Sequence, residues 1–433
     1  MLVIKGVQKK RGGKVLAVEY ITSKNLFYLI CDTLSMMNAP LVDHGRRVSY
    51  IMAKMLECKG GYEKFEIADF MLLAVMHDIG AYKTDDVRKQ LTFEAKNTMP
   101  HSIYGYLFLK YLSPLTEQSK MLLYHHVDTN RMQKVNYQYL EETEILKVAE
   151  IMDIWHKAFA ENFDYHMIDR YIGTKYSKAA CELLYQAVEK FDIFHKLDDG
   201  SFMQEYEADL EYVLLSDEEK DKYLKMLMYC TGLRSENMVA DTIATICVSR
   251  ELASMLRVSE LDKKDIYYAS LLHDIGMLAI PDDILDVPRK LKDEEMNLVR
   301  THVDRMAEAL QGKISKNVID IARAHHERFD GTGYPRGLRG NTMNMKQAIL
   351  QVSENVVQMA QKKAYREAFT KDEIINYLTE SIVSGHFDGV VTDTLLKHYD
   401  EIMDKASEKA KSALVTHQKL QQQYEQVYNK FMN

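Results

Sequence analysis

The chain has 433 residues, 46% of them hydrophobic, and a formal net charge of −8. That length and apolar content exclude a disordered or collagen-like polymer and allow two or three domains with sizeable cores. The negative charge gives no general attraction to nucleic acid, so a phosphate-bearing ligand must be held by a local site and no nucleic-acid role is expected.

Six prolines and 19 glycines, with abundant Leu, Met, Ala, Glu and Lys, predict long helices, few tight turns and an all-α fold. In chain order, the opening stretch "MLVIKGVQKKRGGKVLAVEY" is basic but has no apolar run of signal-peptide length. The strongest apolar run, "IADFMLLAVM", is too short to span a bilayer, so neither secretion nor membrane insertion is expected. Cys31, Cys58, Cys181, Cys230 and Cys247 stand singly, without the spacing of a thiolate zinc site or a disulfide framework. Reduced core residues in a cytoplasmic protein are the expectation.

An internal duplication organises the rest. "LLAVMHDIG", ending in His77, Asp78 and Gly80, returns as "ASLLHDIGM", with His273, Asp274 and Gly276. After the first dyad come His101, the pair His125 and His126, and Glu150; after the second come His302, the pair His325 and His326, and Glu354. The interval from lone histidine to histidine pair differs by one residue between the halves. Each half reads as one helical domain, residues 1–198 and 236–398, with a polar connecting segment at 199–235. Beyond it, 399–433 reads as a helix in which Met403, Ala406, Ala410, Ala413, His417, Leu420, Tyr424, Val427 and Phe431 recur at steps of three and four. That spacing fits two arrangements equally: a coiled-coil seam pairing two copies into a homodimer, or an amphipathic helix folded back on its own domain.

A lone histidine on an apolar helix is ordinarily a hydrogen-bonded core residue. Here an imidazole and a carboxylate share one helix terminus, and three more histidines and an acid follow from later helices. Burying so many ionisable groups without a cation is costly, and this donor set suits Mn, Fe or Zn.

"HDIG", "IPDDIL", "THV", "HHERFDGTGYPRGLRG", "ILQVSENVVQMAQKKAYREAFT" and "GHFD", in that order, resemble the HD-GYP family within the HD metal-dependent phosphohydrolases. The first half resembles the broader HD superfamily alone, because "YHHVDTNRM" runs on without a GYP loop. The resemblance implies tandem HD-type helical domains, two or three divalent ions, Fe or Mn, and hydrolysis of c-di-GMP or, in some members, cyclic GMP-AMP. It implies metal ligation by His273, Asp274, His302, His325, His326 and Glu354, with Asp274 and His273 carrying the chemistry. Gly333, Tyr334 and Pro335 would form the wall of the substrate site, and Lys363 and Arg366 would grip phosphate.

Three departures stand out. Where the family opens with a histidine ligand, the second half has Asp241, which still suits a hard or borderline cation. Met277 replaces the lysine of HDIGK, and Glu354 replaces the usual aspartate. The first half keeps a full set, His44, His77, Asp78, His101, His125, His126 and Glu150, but has Phe159 and Asn162 where the second half has Lys363 and Arg366. The leading expectation is therefore a cyclic-dinucleotide phosphodiesterase acting through its second half, with c-di-GMP the first substrate. The alternatives are a phosphohydrolase centred on the first half and a dinucleotide-binding scaffold without turnover.

Overall fold

The computed structural model describes residues 19–84, 98–132, 135–285, 287–363 and 366–432. The expectation about the opening basic stretch falls almost wholly outside them. Among the described residues no strand forms, and isolated bridges are the extended pairings found. None of the described helices is long and apolar enough to cross a membrane.

Helix α1 (Ser23–Lys59) starts where the Thr22 hydroxyl accepts the Asn25 amide at 3.1 Å, a cap of about 1 kcal/mol. At Asn38 the backbone leaves helical geometry ahead of Pro40, and Asn38 Oδ1 accepts from the Leu41 amide at 2.9 Å. The helix thus restarts from its own internal cap, and the restarted part carries His44. Of the helices that follow, α2 (Lys64–Val75) and α5 (Leu140–Phe159) pack on it, while α3 (Met99–Leu112) packs on α4 (Lys120–Tyr124) and α4 on α5.

The stretch read as a connector is part of the core. It forms α6 (Phe202–Asp209) and α7 (Asp217–Cys230), the latter opened by a Ser216–Glu219 capping box. Tyr206 and Tyr223 are fully buried, and Lys54 reaches Asp209 at 2.9 Å while the Tyr50 hydroxyl donates to Glu205 at 2.8 Å. Apart from buried Lys220 the charged residues stay at least partly exposed, while the Tyr206 ring packs edge-on against Phe27 of α1, a pattern that average polarity hides.

Helices α8 (Glu236–Met255), α9 (Glu260–Leu272), α10 (His302–Leu310), α11 (Lys316–Ala322) and α12 (Met345–Ala360) then repeat the order of α1 to α5. The last helix, α13 (Tyr399–Met432), lies along α8 and reaches α3 of the first half. Ala406, Ala410, Ala413 and Leu420 are buried, since small side chains let the two helices approach closely. Lys405 pairs with Glu251 at 2.8 Å and the Tyr111 hydroxyl donates to Gln423 at 2.7 Å. The folded-back arrangement is the one adopted. Within the chain these seam residues pack against its own core, and the side chain of His417 lies outside the described residues.

Candidate metal centres

Both HD dyads sit just past the end of an apolar helix, α2 or α9, where a glycine lets the next histidine-bearing helix dock backbone to backbone. A Cβ on Gly80 would lie 2.0 Å from the His101 carbonyl oxygen, and one on Gly276 would lie 2.0 Å from that of His302. Only glycine permits that approach, which brings α3 and α10 against their dyads.

In the first half, Asp78, His101, His125 and His126 place one donor atom each within 4.8 Å of one another, and His44, His77 and Glu150 form a second such group. The Nδ1–H groups of His77 and His125 donate to the carbonyls of Ala74 and Leu122 at 2.7 and 2.6 Å. This fixes the tautomer and leaves Nε2 as a lone pair facing inward. The Nε2 atoms of His77 and His125 and Oδ1 of Asp78 are buried without a hydrogen-bond partner. Orphaned buried atoms cost about 1–3 kcal/mol each, a penalty that a shared divalent cation would remove. Burial lowers the His77 pKa to about 4 and that of His101 to about 3, which keeps both in the neutral, ligating form. Burial opposes ionisation of Asp78, but His77, His125 and His101 outweigh it and hold the carboxyl well below its usual value. The residues fit a metal centre.

Asp153, one turn after Glu150, supports this group from behind. Its Oδ2 accepts from His44 Nδ1 at 2.7 Å, and Arg47 clamps both oxygens at 2.5 and 2.9 Å. Although burial works the other way, His44 and Arg47 bring its pKa down to about 2. The ring of His44 is thereby oriented with Nε2 towards the cluster. A cavity of about 300 Å³ opens beside His125, His126 and Glu150, lined also by Lys147 and Lys175. Phe159 and Asn162 bring no charge here. These two lysines come from elsewhere, Lys147 from the preceding turns of α5 and Lys175 from a later turn.

The second half gathers its donors as His302, His325 and His326, and as His273, Asp274 and Glu354. Asp274 turns one oxygen to His273 Nε2 at 3.4 Å and the other to His302 and His325 Nε2 at 3.4 and 3.7 Å. His273, His302 and His325 again donate Nδ1–H to carbonyls one turn back, those of Ser270, Val299 and Ala322, at 2.8, 2.7 and 2.5 Å. Glu354 meets His273 Nε2 at 3.1 Å and also accepts from Thr245 at 2.9 Å and Gln358 at 2.7 Å. Burial alone would lower the His273 pKa, but Asp274 and Glu354 raise it to about 9. The donor set fits divalent ions, and it is more closed on itself than its counterpart.

Asp241 does not join either group. Its Oδ2 lies 2.6 Å from Lys363 Nζ. Burial raises its pKa to about 6 even though Lys363 opposes the rise. Arg366 is also engaged: its guanidinium donates to the carbonyls of Gln361 and Glu367 at 3.2 and 3.1 Å and to that of Gln358, tying down the chain after α12.

The GYP loop is held by a residue the sequence reading passed over. The buried carboxylate of Glu327 accepts from the amides of Arg336 and Leu338 at 2.7 and 2.8 Å. The Tyr334 amide donates to the His326 carbonyl at 3.1 Å, and the two rings stack with centroids 4.7 Å apart. The Arg300 guanidinium lies 5.2 Å from the Tyr334 ring centroid, and the Tyr334–Pro335 bond is cis. A Cβ at Gly333 would strike the Arg328 amide at 2.3 Å, so that glycine serves close packing of the loop on its own stem. The signal for Glu327 was its place directly after the histidine pair; Thr245, Gln358 and Arg300 gave none.

An all-helical fold with two His/Asp/Glu clusters, each seated on an HD dyad, defines a tandem HD-domain protein. Residues 41–157 and residues 225–391 each match the HD domain, and the chain belongs to that family. It is similar to the 3'3'-cGAMP-specific phosphodiesterase 1 of Vibrio cholerae, 23% identical over 87% of this chain and 92% of that protein. A cyclic di-GMP phosphodiesterase of Pseudomonas aeruginosa is 34% identical over 36% of this chain, a match spanning 38% of its own length. Among solved structures, a cyclic GMP-AMP specific phosphodiesterase of V. cholerae shares the fold, with a TM-score of 0.55 at 15% identity over 88% of this chain and 98% of that one.

Proposed function

We propose that the chain is a metal-dependent phosphodiesterase that hydrolyses a cyclic dinucleotide at its second centre. The observation that carries this is the docking of Tyr334 on His326, which sets the wall of a ligand site against a cluster of metal donors. His273, Asp274, His302, His325, His326 and Glu354 would hold the ions, and Mn or Fe suits imidazole mixed with carboxylate. Bound divalent ions supply an activated water and neutralise charge on the phosphodiester. Asp274 faces three imidazoles with its two oxygens, so it would be the carboxylate that helps hold the ions and orient a water against the phosphodiester. Gly333, Tyr334 and Pro335 limit where the dinucleotide can lie. Lys363 and Arg366 would contribute to phosphate only on leaving their present partners.

The relative that matches across both domains is named for 3'3'-cGAMP, which makes that nucleotide the first to assay, beside c-di-GMP. Purified protein with Mn or Fe is expected to give linear dinucleotide or mononucleotide, and His273→Ala with Asp274→Ala to abolish turnover. Unchanged turnover in that double variant would sink the proposal. A second reading, a phosphohydrolase centred on the first half, is favoured by its inward-facing orphan atoms and by Lys147 and Lys175 at the cavity. It requires loss of activity in His77→Ala with Asp78→Ala instead. Tight binding without turnover by the unmutated protein across a panel of metals would indicate a scaffold.

A further inference from the structure

The two halves allow a comparison within one molecule. In the first, the histidine on the opening helix, His44, sits with His77 and Glu150, and the ion pair supporting it, Asp153 with Arg47, lies one layer behind. The corresponding positions in the second half are Asp241 for His44, Ala244 for Arg47 and Val357 for Asp153. Ala244 and Val357 are buried and apolar. A histidine at 241 would have no carboxylate to orient it. Asp241 has taken the ligand's place and Lys363 has come in to meet it at 2.6 Å, so an ion pair occupies the layer that the His44 imidazole occupies in the first half.

We infer that Lys363 is a built-in cation standing where a metal ion would otherwise be held beside Asp241, so the second centre takes one divalent ion fewer than its donors would allow. The charge argument is direct. Asp241 and Glu354 are buried and Asp274 is half-buried beside them, and an ammonium within contact distance of Asp241 both offsets their charge and repels a divalent ion from the same oxygen. The His273–Glu354 contact closes the same side, because Glu354 points to His273, Thr245 and Gln358 rather than to a donor on α8 that is free to share an ion. The inference rests on the reading of the second half as a metal centre, and its test separates the two.

The test is metal content of the full chain carrying His77→Ala and Asp78→Ala, which silences the first centre. Mn per chain is measured by elemental analysis after dialysis against Mn²⁺, with calorimetric titration as a second readout. Lys363→Met is expected to bind one Mn²⁺ more per chain than its parent, and Lys363→Arg, which keeps the charge, to bind the same number. Lys363→Gln guards against misfolding of the methionine variant and is expected to show the same gain. Equal content in the parent and in folded Lys363→Met or Lys363→Gln overturns the inference. Failure of His273→Ala with Asp274→Ala to lose Mn in the same background overturns the metal-centre reading itself.

Discussion

Replacing Gly276 by alanine puts one methyl group into the tightest contact of the second centre. The new Cβ would lie 2.0 Å from the His302 carbonyl oxygen and 2.8 Å from the Met306 amide nitrogen, whereas real Cβ atoms essentially never approach closer than 3.0 Å. Both opposing atoms are backbone, so no side chain can swing aside. The helix carrying His302 must retreat by at least about 1 Å, a misplacement that costs about 100-fold in rate when it falls on a catalytic constellation. Overpacking of this kind also destabilises by about 1–3 kcal/mol. The assay is kcat on 3'3'-cGAMP and c-di-GMP with Mn content measured on the same samples, and with Gly80→Ala as the matched control. Gly80 makes the same 2.0 Å contact with the His101 carbonyl, so it carries a similar folding penalty in the other half. Loss of about 100-fold in Gly276→Ala with much smaller change in Gly80→Ala is expected. Full activity in a folded Gly276→Ala protein, or loss confined to Gly80→Ala, would refute the placement of catalysis in the second half.

Glu327→Gln keeps one acceptor for the amides of Arg336 and Leu338 and turns an NH₂ towards the other. It is expected to weaken the loop by about 2 kcal/mol and to raise KM more than it lowers Mn content, as steady-state kinetics and elemental analysis would show. Asp69 has its pKa raised to about 6 by burial and by the charges of Glu219 and Glu66. The folded form therefore holds its proton more tightly than the unfolded one, and stability falls as pH rises from about 4 through 6. Discounted for solvent screening, Asp69→Asn is expected to stabilise by about 1 kcal/mol at pH 8 and not at pH 3, measured by denaturant titration at both. Ala410→Glu would bury a carboxylate between α13 and α8 and cost about 2–3 kcal/mol, whereas Lys411→Glu, on the exposed face, should leave the melting midpoint nearly unchanged.

The repeat of HDIG, the lone histidines, the histidine pairs and the late acids made the helical duplication and most of both donor sets legible from sequence. Such residues announce themselves because chemistry restricts the side chain and helical geometry restricts the spacing. Long-range partners leave no such trace. That Asp153 serves His44 across 109 positions, or that Lys363 turns to Asp241 across 122, depends on how helices pack and not on either local pattern. The packing of the connecting segment at 199–235 escapes the sequence for a related reason. The segment's average polarity suits a linker, yet Phe202 and Tyr206 on α6 and Tyr223, Leu224 and Leu227 on α7 are buried and make it core.

The placement of that one ion pair explains why two halves with the same fold present different sites. In the first, Arg47 and Asp153 sit behind His44, so positive charge is kept away from the donors and the Nε2 atoms of His77 and His125 remain open. In the second, the pair is at the donors, and His273 Nε2 is taken up by Glu354. In the inference drawn above, exchanging His44's counterpart for Asp241 and moving the charge pair inward by one layer reduces the demand for metal while His273, His302, His325 and His326 all stay in place. Under the proposed function, an incoming phosphate competes with Asp241 for the Lys363 ammonium. Substrate affinity in the second half should accordingly depend on the Asp241 contact: Asp241→Asn frees Lys363 from its counter-charge and is expected to lower KM several-fold. A KM that rises instead would mean that Asp241 serves the ligand site as a donor and not as a restraint on Lys363.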